Sequence, residues 1–244
     1  MTNFLIDIGN SNCKVAFEEN GKLGDIVRDS GIDTLDFILS VIQTVHVNVM
    51  ILSTVREDDT NMQKALAKKC RKLIVLTNKT KLPVDLKYGF AADTLGSDRI
   101  AAALAVAMMF PGQNCIKFDF GTALTIDYIN KEGEYSGGNI SLGMQSRFKA
   151  LNAFTKRLPL VEPNADFPEV GTDTAGAITA GVVLGLIFEV EGYMNKNPDY
   201  TVVFTGGDAF YFAKKMKNTI FVVQNLVLFG LAHIADYYAD CNKI

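Results

Sequence analysis

Tryptophan is missing altogether, histidine occurs twice and cysteine four times in 244 residues, and these shortages close off several kinds of chemistry. Cys13, Cys70, Cys115 and Cys241 show no C-x-x-C spacing, and with only His46 and His233 beside them no zinc-site pattern can be assembled. Free thiols in a reducing compartment are the simpler reading. Basic residues are not in excess: 24 Lys and Arg stand against 27 Asp and Glu, for a net charge of −3. Without a basic stripe, neither a nucleic-acid binder nor a membrane-surface protein is expected. Two long uncharged runs, residues 100–116 and 174–188, are punctuated by Gly, Thr, Pro, Asn or Gln and fall short of a membrane span, so they read as buried helices. An acid stands at position 7 with no basic leader before it, and no secretory signal is expected.

What the chain has instead is a repeated turn. Residues 117–127, KFDFGTALTID, run as a short apolar strand into Asp119, turn at Gly121 and Thr122, and resume β-branched character from Ala123. A carboxylate at a strand end therefore stands beside a loop of bare backbone. Gly121 lacks the Cβ that would keep an oxyanion away, its neighbouring N–H groups can converge into an anion-binding nest, and Thr122 adds a hydroxyl donor. The same design opens the chain, where Asp7-Ile8-Gly9-Asn10 matches Asp119-Phe120-Gly121-Thr122 in the order acid, any residue, glycine, polar residue. The copies lie 112 residues apart, close to half of the chain. Either alone is a common turn sequence. Together they point to two related halves, residues 1–114 and 115–244, each opening with a hairpin whose turn faces the other across a cleft.

Composition agrees with a sizeable core, since 48% of residues are hydrophobic and 21% charged. A hairpin is expected over residues 3–9 and 13–18, with a third strand near 25–29. Apolar spacing of three and four at Leu35, Ile38, Leu39 and Ile42 predicts a helix over 34–45, and residues 47–53 form a β-branched run fit for a buried strand. Met62, Leu66 and Cys70 extend a surface helix over 59–73, before a strand at 73–77. Strand, helix, strand, helix implies a parallel segment covered by helices, hence an α/β fold. Residues 78–97 are irregular. An Ala-rich helix then ends at Pro111-Gly112. The second half adds helices at 143–155 and 174–191, a strand at 200–204, a helix at 209–216 and a closing amphipathic helix at 224–238.

Three further constellations carry chemistry. Gly206-Gly207 follows a buried strand and opens a helix, so it allows close approach by a flat ligand; a tight turn that merely needs positive φ is the plainer alternative. In Gly96-Ser97-Asp98-Arg99, Ser97 or Asp98 can cap the helix expected from Ile100. Asp98 can equally take a proton from a substrate hydroxyl, while Arg99 meets an anionic group with a fork that lysine lacks. Lys14 can reach a phosphate or stand solvated on its strand.

Taken in order, Asp7-Ile8-Gly9-Asn10-Ser11, Gly96-Ser97-Asp98-Arg99, Asp119-Phe120-Gly121-Thr122-Ala123, Gly137-Gly138-x-Ile140, Gly171-Thr172-Asp173-Thr174 and Thr205-Gly206-Gly207-Asp208-Ala209 resemble the motifs of type III pantothenate kinases, over residues 4 to about 230. The resemblance implies duplicated ribonuclease-H-like domains, the actin-like ATPase architecture of the acetate kinase, sugar kinase, Hsp70 and actin superfamily, with mixed sheets flanked by helices. It implies ATP-dependent phosphorylation of pantothenate, the first step of coenzyme A synthesis, in the cytoplasm. By that resemblance Asp7, Ile8, Gly9, Asn10, Ser11, Asn12, Cys13 and Lys14 form the first phosphate loop, with hydrated Mg²⁺ held through Asp7. Thr122 is the second phosphate contact, and Gly206 and Gly207 line the adenosine. Asp98 is the base for the pantothenate hydroxyl. Gly96, Ser97, Asp98 and Arg99 form the substrate loop, with Arg99 toward the carboxylate. Tyr88 and Thr174 are further substrate contacts. Asp119 resembles the ligand of a monovalent cation, K⁺ or NH₄⁺. The family's members are homodimers with the site near the subunit boundary, so Thr174 can serve the neighbour's pocket.

The chain also departs from the pattern. Ser97 stands where alanine is usual, Leu142 where proline is, Asp173 where asparagine is commoner, and Tyr88-Gly89-Phe90-Ala91 replaces a Tyr-x-Asn-Pro lead-in. From composition and spacing alone, two other readings stay open. One is a degenerate, non-catalytic regulator that binds nucleotide or a partner protein. The other is a kinase of another small hydroxy acid or sugar.

Overall fold

A computed structural model describes residues 2–29, 31, 33–56, 59–88, 94–162 and 167–240. Cys241, Pro163 and the lead-in residues Gly89, Phe90 and Ala91 lie outside the described residues. The chain divides into two compact units. One holds residues 1–109, 133–135 and 225–244; the other holds 110–132 and 136–224.

The first unit is built on β1 (Thr2–Ile8), β2 (Cys13–Glu19), β3 (Lys22–Asp29), β4 (Val47–Thr54) and β5 (Cys70–Val75), in the sheet order β3-β2-β1-β4-β5. β1 pairs antiparallel with β2 and parallel with β4. Its side chains alternate between faces, and Phe4, Ile6 and Ile8 join Met50 and Leu52 in a core with Phe37, Ile38 and Ile42 of α1 (Thr34–Ile42) and Met62 and Leu66 of α2 (Thr60–Ala67). Each such large side chain contributes about 1.5–3 kcal/mol on leaving water. The opposite face presents Leu5 and Asp7 and carries α3 (Ser97–Met109) and the closing helix α7 (Leu226–Asp240). α2 ends at Ala67, short of the expected 73. Cys70, three residues on, has left the helix to pair with Val47, and the edge strand claims residues that the apolar spacing had assigned to a helix.

The second unit repeats the plan with β6 (Cys115–Phe120), β7 (Ala123–Ile129), β8 (Tyr135–Leu142), β9 (Thr201–Gly206) and β10 (Phe221–Val222). Read from β8, its order is β8-β7-β6-β9-β10, the same as in the first sheet. β6 pairs antiparallel with β7 and parallel with β9, as β1 does with β2 and β4. Two mixed five-stranded sheets of one topology are the duplicated ribonuclease-H-like architecture expected from the sequence. Phe118, Phe120, Phe204 and Phe212 pack with the buried face of α5 (Thr174–Lys196), among them Ile178, Val182, Leu186 and Val190. At 23 residues α5 is long and apolar enough to cross a membrane, yet this face belongs to the core. α4 (Met144–Phe154) and α6 (Ala209–Ala213) complete the unit.

α7 follows the second unit in sequence and returns to the first, where the division at 114/115 had left it with the second half. The cause is close helix packing: a Cβ on Gly230 would stand 1.9 Å from the Ala101 carbonyl oxygen of α3, so only glycine permits the approach. Leu226, Leu228, Leu231 and Ile234 are fully buried.

Candidate active site

In the first unit, Ile8 and Cys13 are register partners, which leaves residues 9–12 as the β1–β2 turn. Gly9 N–H donates to the Asn12 carbonyl at 2.9 Å and closes it, while Asn10, Ser11 and Asn12 are exposed. Ile8 and Cys13 point into the core, so only their backbone can face a ligand. Burial, then the charge of Asp7, pushes the Cys13 thiol up to about 12, leaving it a neutral packing group. Asp7 is 8% exposed and lies opposite Lys14 on β2 and Ser53 on β4. Arg56 went unnoticed in the sequence: its Nε donates to the Gly9 carbonyl at 3.0 Å and its Nη1 to Thr34 Oγ1 at 3.2 Å. Its only signal was a basic residue just beyond a β-branched run.

Asp7 and the start of α3 are joined through Ser53. Ser53 Oγ lies 2.9 Å from Ser97 Oγ, and Ser97 Oγ also lies 3.0 Å from both the N–H and the carbonyl of Thr54. The hydroxyl at position 97 thereby ties the first turn of α3 to the end of β4. α3 starts at Ser97 rather than Ile100, with Ile100 N–H donating to the Gly96 carbonyl at 3.0 Å. Asp98 Oδ1 accepts from the Arg99 N–H at 2.8 Å. A Cβ on Gly96 would stand 2.6 Å from that same Oδ1, so the glycine makes room for the carboxylate to turn back over the helix start.

Arg99 Nη2 donates to the Tyr135 hydroxyl at 2.8 Å. Tyr135 opens β8 and is held by its N–H to the Leu86 carbonyl at 2.7 Å. The Tyr88 ring lies 6.5 Å from that of Tyr135. The phenol oxygen of Tyr88 is buried without a hydrogen-bond partner, and burial, with Asp85 nearby, raises its pKa. Sequence reasoning missed Tyr135, since nothing local ties it to a residue 36 positions earlier.

The second unit assembles a matching group at the ends of β6 and β9. Gly121 N–H donates to the Ala123 carbonyl at 3.1 Å, while Thr122's carbonyl accepts from Gly143 N–H at 3.1 Å and from Ser146 Oγ at 2.6 Å. Gly143 too had escaped notice as more than a helix start. A Cβ there would lie 2.0 Å from the Gly121 carbonyl oxygen, and its absence lets the head of α4 abut the turn. Asp119 pairs in register with Thr125 on β7 and Thr205 on β9. Gly206 adopts φ 93°, and a Cβ on it would meet Asp119 Oδ1 at 2.6 Å and the Phe120 carbonyl at 2.5 Å. The bare backbone at 206 is thus the wall of the space that Asp119 faces. Gly207 has nothing within 4 Å of where a Cβ would be, which leaves open room for a ligand.

Thr174 lies elsewhere in the second unit, at the start of α5. It lines an apolar groove of about 820 Å³ with Leu142, Leu151, Phe154, Ile178 and Arg147. Phe154 is 90% exposed and Phe188 63% exposed.

The donor chemistry at the two strand ends fits hard cations. Asp119 offers a carboxylate oxygen toward a spot that a Gly206 Cβ would fill, with the Phe120 carbonyl beside it, an all-oxygen donor set of the kind hard cations take. Asp7 offers one carboxylate beside a turn of exposed polar residues. Mg²⁺ keeps several waters and takes one or two carboxylates plus phosphate oxygens, so a single acid suffices there.

The family model described as type III pantothenate kinase matches residues 3–196. A type III pantothenate kinase from Cytophaga hutchinsonii is 39% identical over 243 residues, covering 96% of this chain and 99% of the relative. Among solved structures, a conserved putative Baf family transcriptional activator from Campylobacter jejuni superimposes with a TM-score of 0.63 at 22% identity, covering 97% of this chain and 99% of that one. The activator of the 2-hydroxyisocaproyl-CoA dehydratase from Clostridium difficile, with bound ADPNP, gives a TM-score of 0.57 at 14% identity, covering 100% of this chain and 96% of that one. At those identities the structures speak to fold alone.

Proposed function

The chain belongs to the type III pantothenate kinase family and phosphorylates pantothenate with ATP in coenzyme A synthesis, and from that premise we propose how its residues divide the work. The observation that carries the division lies in the first unit: the strand-end acid Asp7 is in register with Ser53 of β4, whose hydroxyl stands 2.9 Å from that of Ser97, the residue before Asp98 at the start of α3. Phosphoryl transfer asks mainly for positioning and charge neutralisation, and both acids stand on rigid element ends.

Asp98 orients the pantothenate hydroxyl and accepts its proton as the hydroxyl oxygen bonds to the γ-phosphorus. The bond from that phosphorus to the bridging oxygen breaks, and the electron pair leaves with ADP. Arg99 meets the pantothenate carboxylate, and Gly96, Ser97 and Tyr88 shape that end of the site. The backbone of residues 8–13 and the side chains of Asn10, Ser11, Asn12 and Lys14 contact the phosphates. Thr122 contacts them from the other turn, and Gly206 and Gly207 lie along the adenosine. Asp7 would hold Mg²⁺ and Asp119 would hold K⁺ or NH₄⁺, and these ions would supply positive charge to the triphosphate. The protein acts in the cytoplasm.

We further read the α4–α5 face as the contact between two copies of the chain. A groove of about 820 Å³ lined by the exposed ring of Phe154, with Phe188 exposed farther along α5, is more apolar surface than a lone subunit usually shows to water. Thr174 on its rim is then the residue that reaches a neighbour's substrate. The roles of Asp119 and of the cation are tested together by measuring ADP formation in potassium, sodium and lithium chloride at equal ionic strength. Potassium supports rates several-fold above the other two; equal rates in all three would remove Asp119 as a cation ligand.

A further inference from the structure

We propose that Tyr135 is a positioning residue for substrate recognition, holding the Arg99 guanidinium in the orientation that receives the pantothenate carboxylate. The inference rests on Arg99 being that carboxylate's partner. Arginine on the first turn of a helix has a long, rotamer-rich side chain, and affinity is lost each time such a chain must be ordered on binding. Here the ordering is built in. Arg99 Nη2 donates to the Tyr135 hydroxyl at 2.8 Å, and the guanidinium carbon lies 6.0 Å from the centre of the same ring.

The anchor is itself rigid. Tyr135 is 4% exposed, its backbone N–H is bound to the Leu86 carbonyl at 2.7 Å, and the Tyr88 ring packs against it at 6.5 Å. Two neighbouring residues are tied down as well, because Lys87 and Glu134 form an ion pair between the same two segments. The chain leaves the second unit for three residues, 133–135, and the tyrosine is the last of them.

The test uses Tyr135→Phe, which keeps the ring and removes only the hydroxyl. The expected result is a KM for pantothenate raised about tenfold, with kcat and the KM for ATP within twofold of the parent protein. Binding of pantothenol, in which an alcohol replaces the carboxylate, is measured by calorimetry and stays the same in both proteins. In the Arg99→Ala background, adding Tyr135→Phe changes pantothenate affinity no further, because the two residues act as one unit. An equal loss of pantothenate and pantothenol binding in Tyr135→Phe, or additive losses in the double variant, would overturn the positioning role. If instead Arg99→Ala weakens pantothenate and pantothenol alike, the assignment of Arg99 to the carboxylate has failed, and the inference fails with it.

Discussion

Asp98→Asn lowers pantothenate-dependent ADP formation about 10²–10⁴-fold while leaving the fold unchanged, the range associated with loss of a general base. The variant keeps the size of the side chain and one oxygen able to accept from the Arg99 N–H, the bond that Asp98 Oδ1 makes at 2.8 Å. Gly96 still leaves room for that oxygen. The Ser53–Ser97 contact that fixes the first turn of α3 does not involve position 98, so the helix start stays where it is. What is lost is the negative charge that, in the proposed role, orients the attacking hydroxyl and takes its proton. Steady-state kcat, beside far-ultraviolet circular dichroism, separates the two effects. Near-normal turnover with an intact spectrum would take Asp98 out of the chemistry.

The second large effect is on stability. Lys117 and Asp127 are 1% and 0% exposed, face each other across β6 and β7, and bring Nζ to 2.6 Å from Oδ2. Nζ also lies 3.3 Å from Thr125 Oγ1. A pair this deep need not add net stability, because desolvating both ions offsets their attraction. Removing one partner is a different matter: Lys117→Met leaves a buried carboxylate without its cation, which costs about 3–5 kcal/mol. For a chain of this size that lowers Tm by roughly 6–20 °C. With no tryptophan to report by fluorescence, circular dichroism is the natural probe. Replacing both partners, Lys117→Met with Asp127→Leu, recovers most of the loss. A single variant within a degree or two of the parent would mean that the pair carries no structural charge. Asp119 shares this face of the hairpin, since it lies two residues along β6 from Lys117, so the frame that carries the second turn is at stake in the same experiment.

The repeated turn was legible because it is local. Asp7-x-Gly9 and Asp119-x-Gly121 each combine a hydrophobic run, an acid and a glycine within a few residues, and two copies at half-chain distance pointed to two related halves, each opening with a hairpin. Gly206 was legible for the same reason, down to its positive φ, although its closeness to Asp119 emerges only when β6 and β9 lie side by side. What the sequence hid depends on partners far along the chain. Arg56 supports the Gly9 carbonyl from 47 residues away, Tyr135 meets Arg99 across 36, and α7 returns to α3 because Gly230 lets it approach Ala101. The end of α2 was misread because Cys70 falls four residues after Leu66, a helical spacing, yet its backbone pairs with Val47 in the sheet. The two-residue β10 is too short to leave a pattern at all.

This chain moves a phosphoryl group from ATP to the hydroxyl of pantothenate, and mass spectrometry of the products formed from ATP with pantothenate, acetate or simple sugars, in potassium buffer, puts that transfer to the test. The expected products are 4′-phosphopantothenate in equal amount to ADP, and no phosphorylated acetate or sugar. ADP without a phosphorylated acid, or sugars and acetate modified as readily as pantothenate, would contradict it.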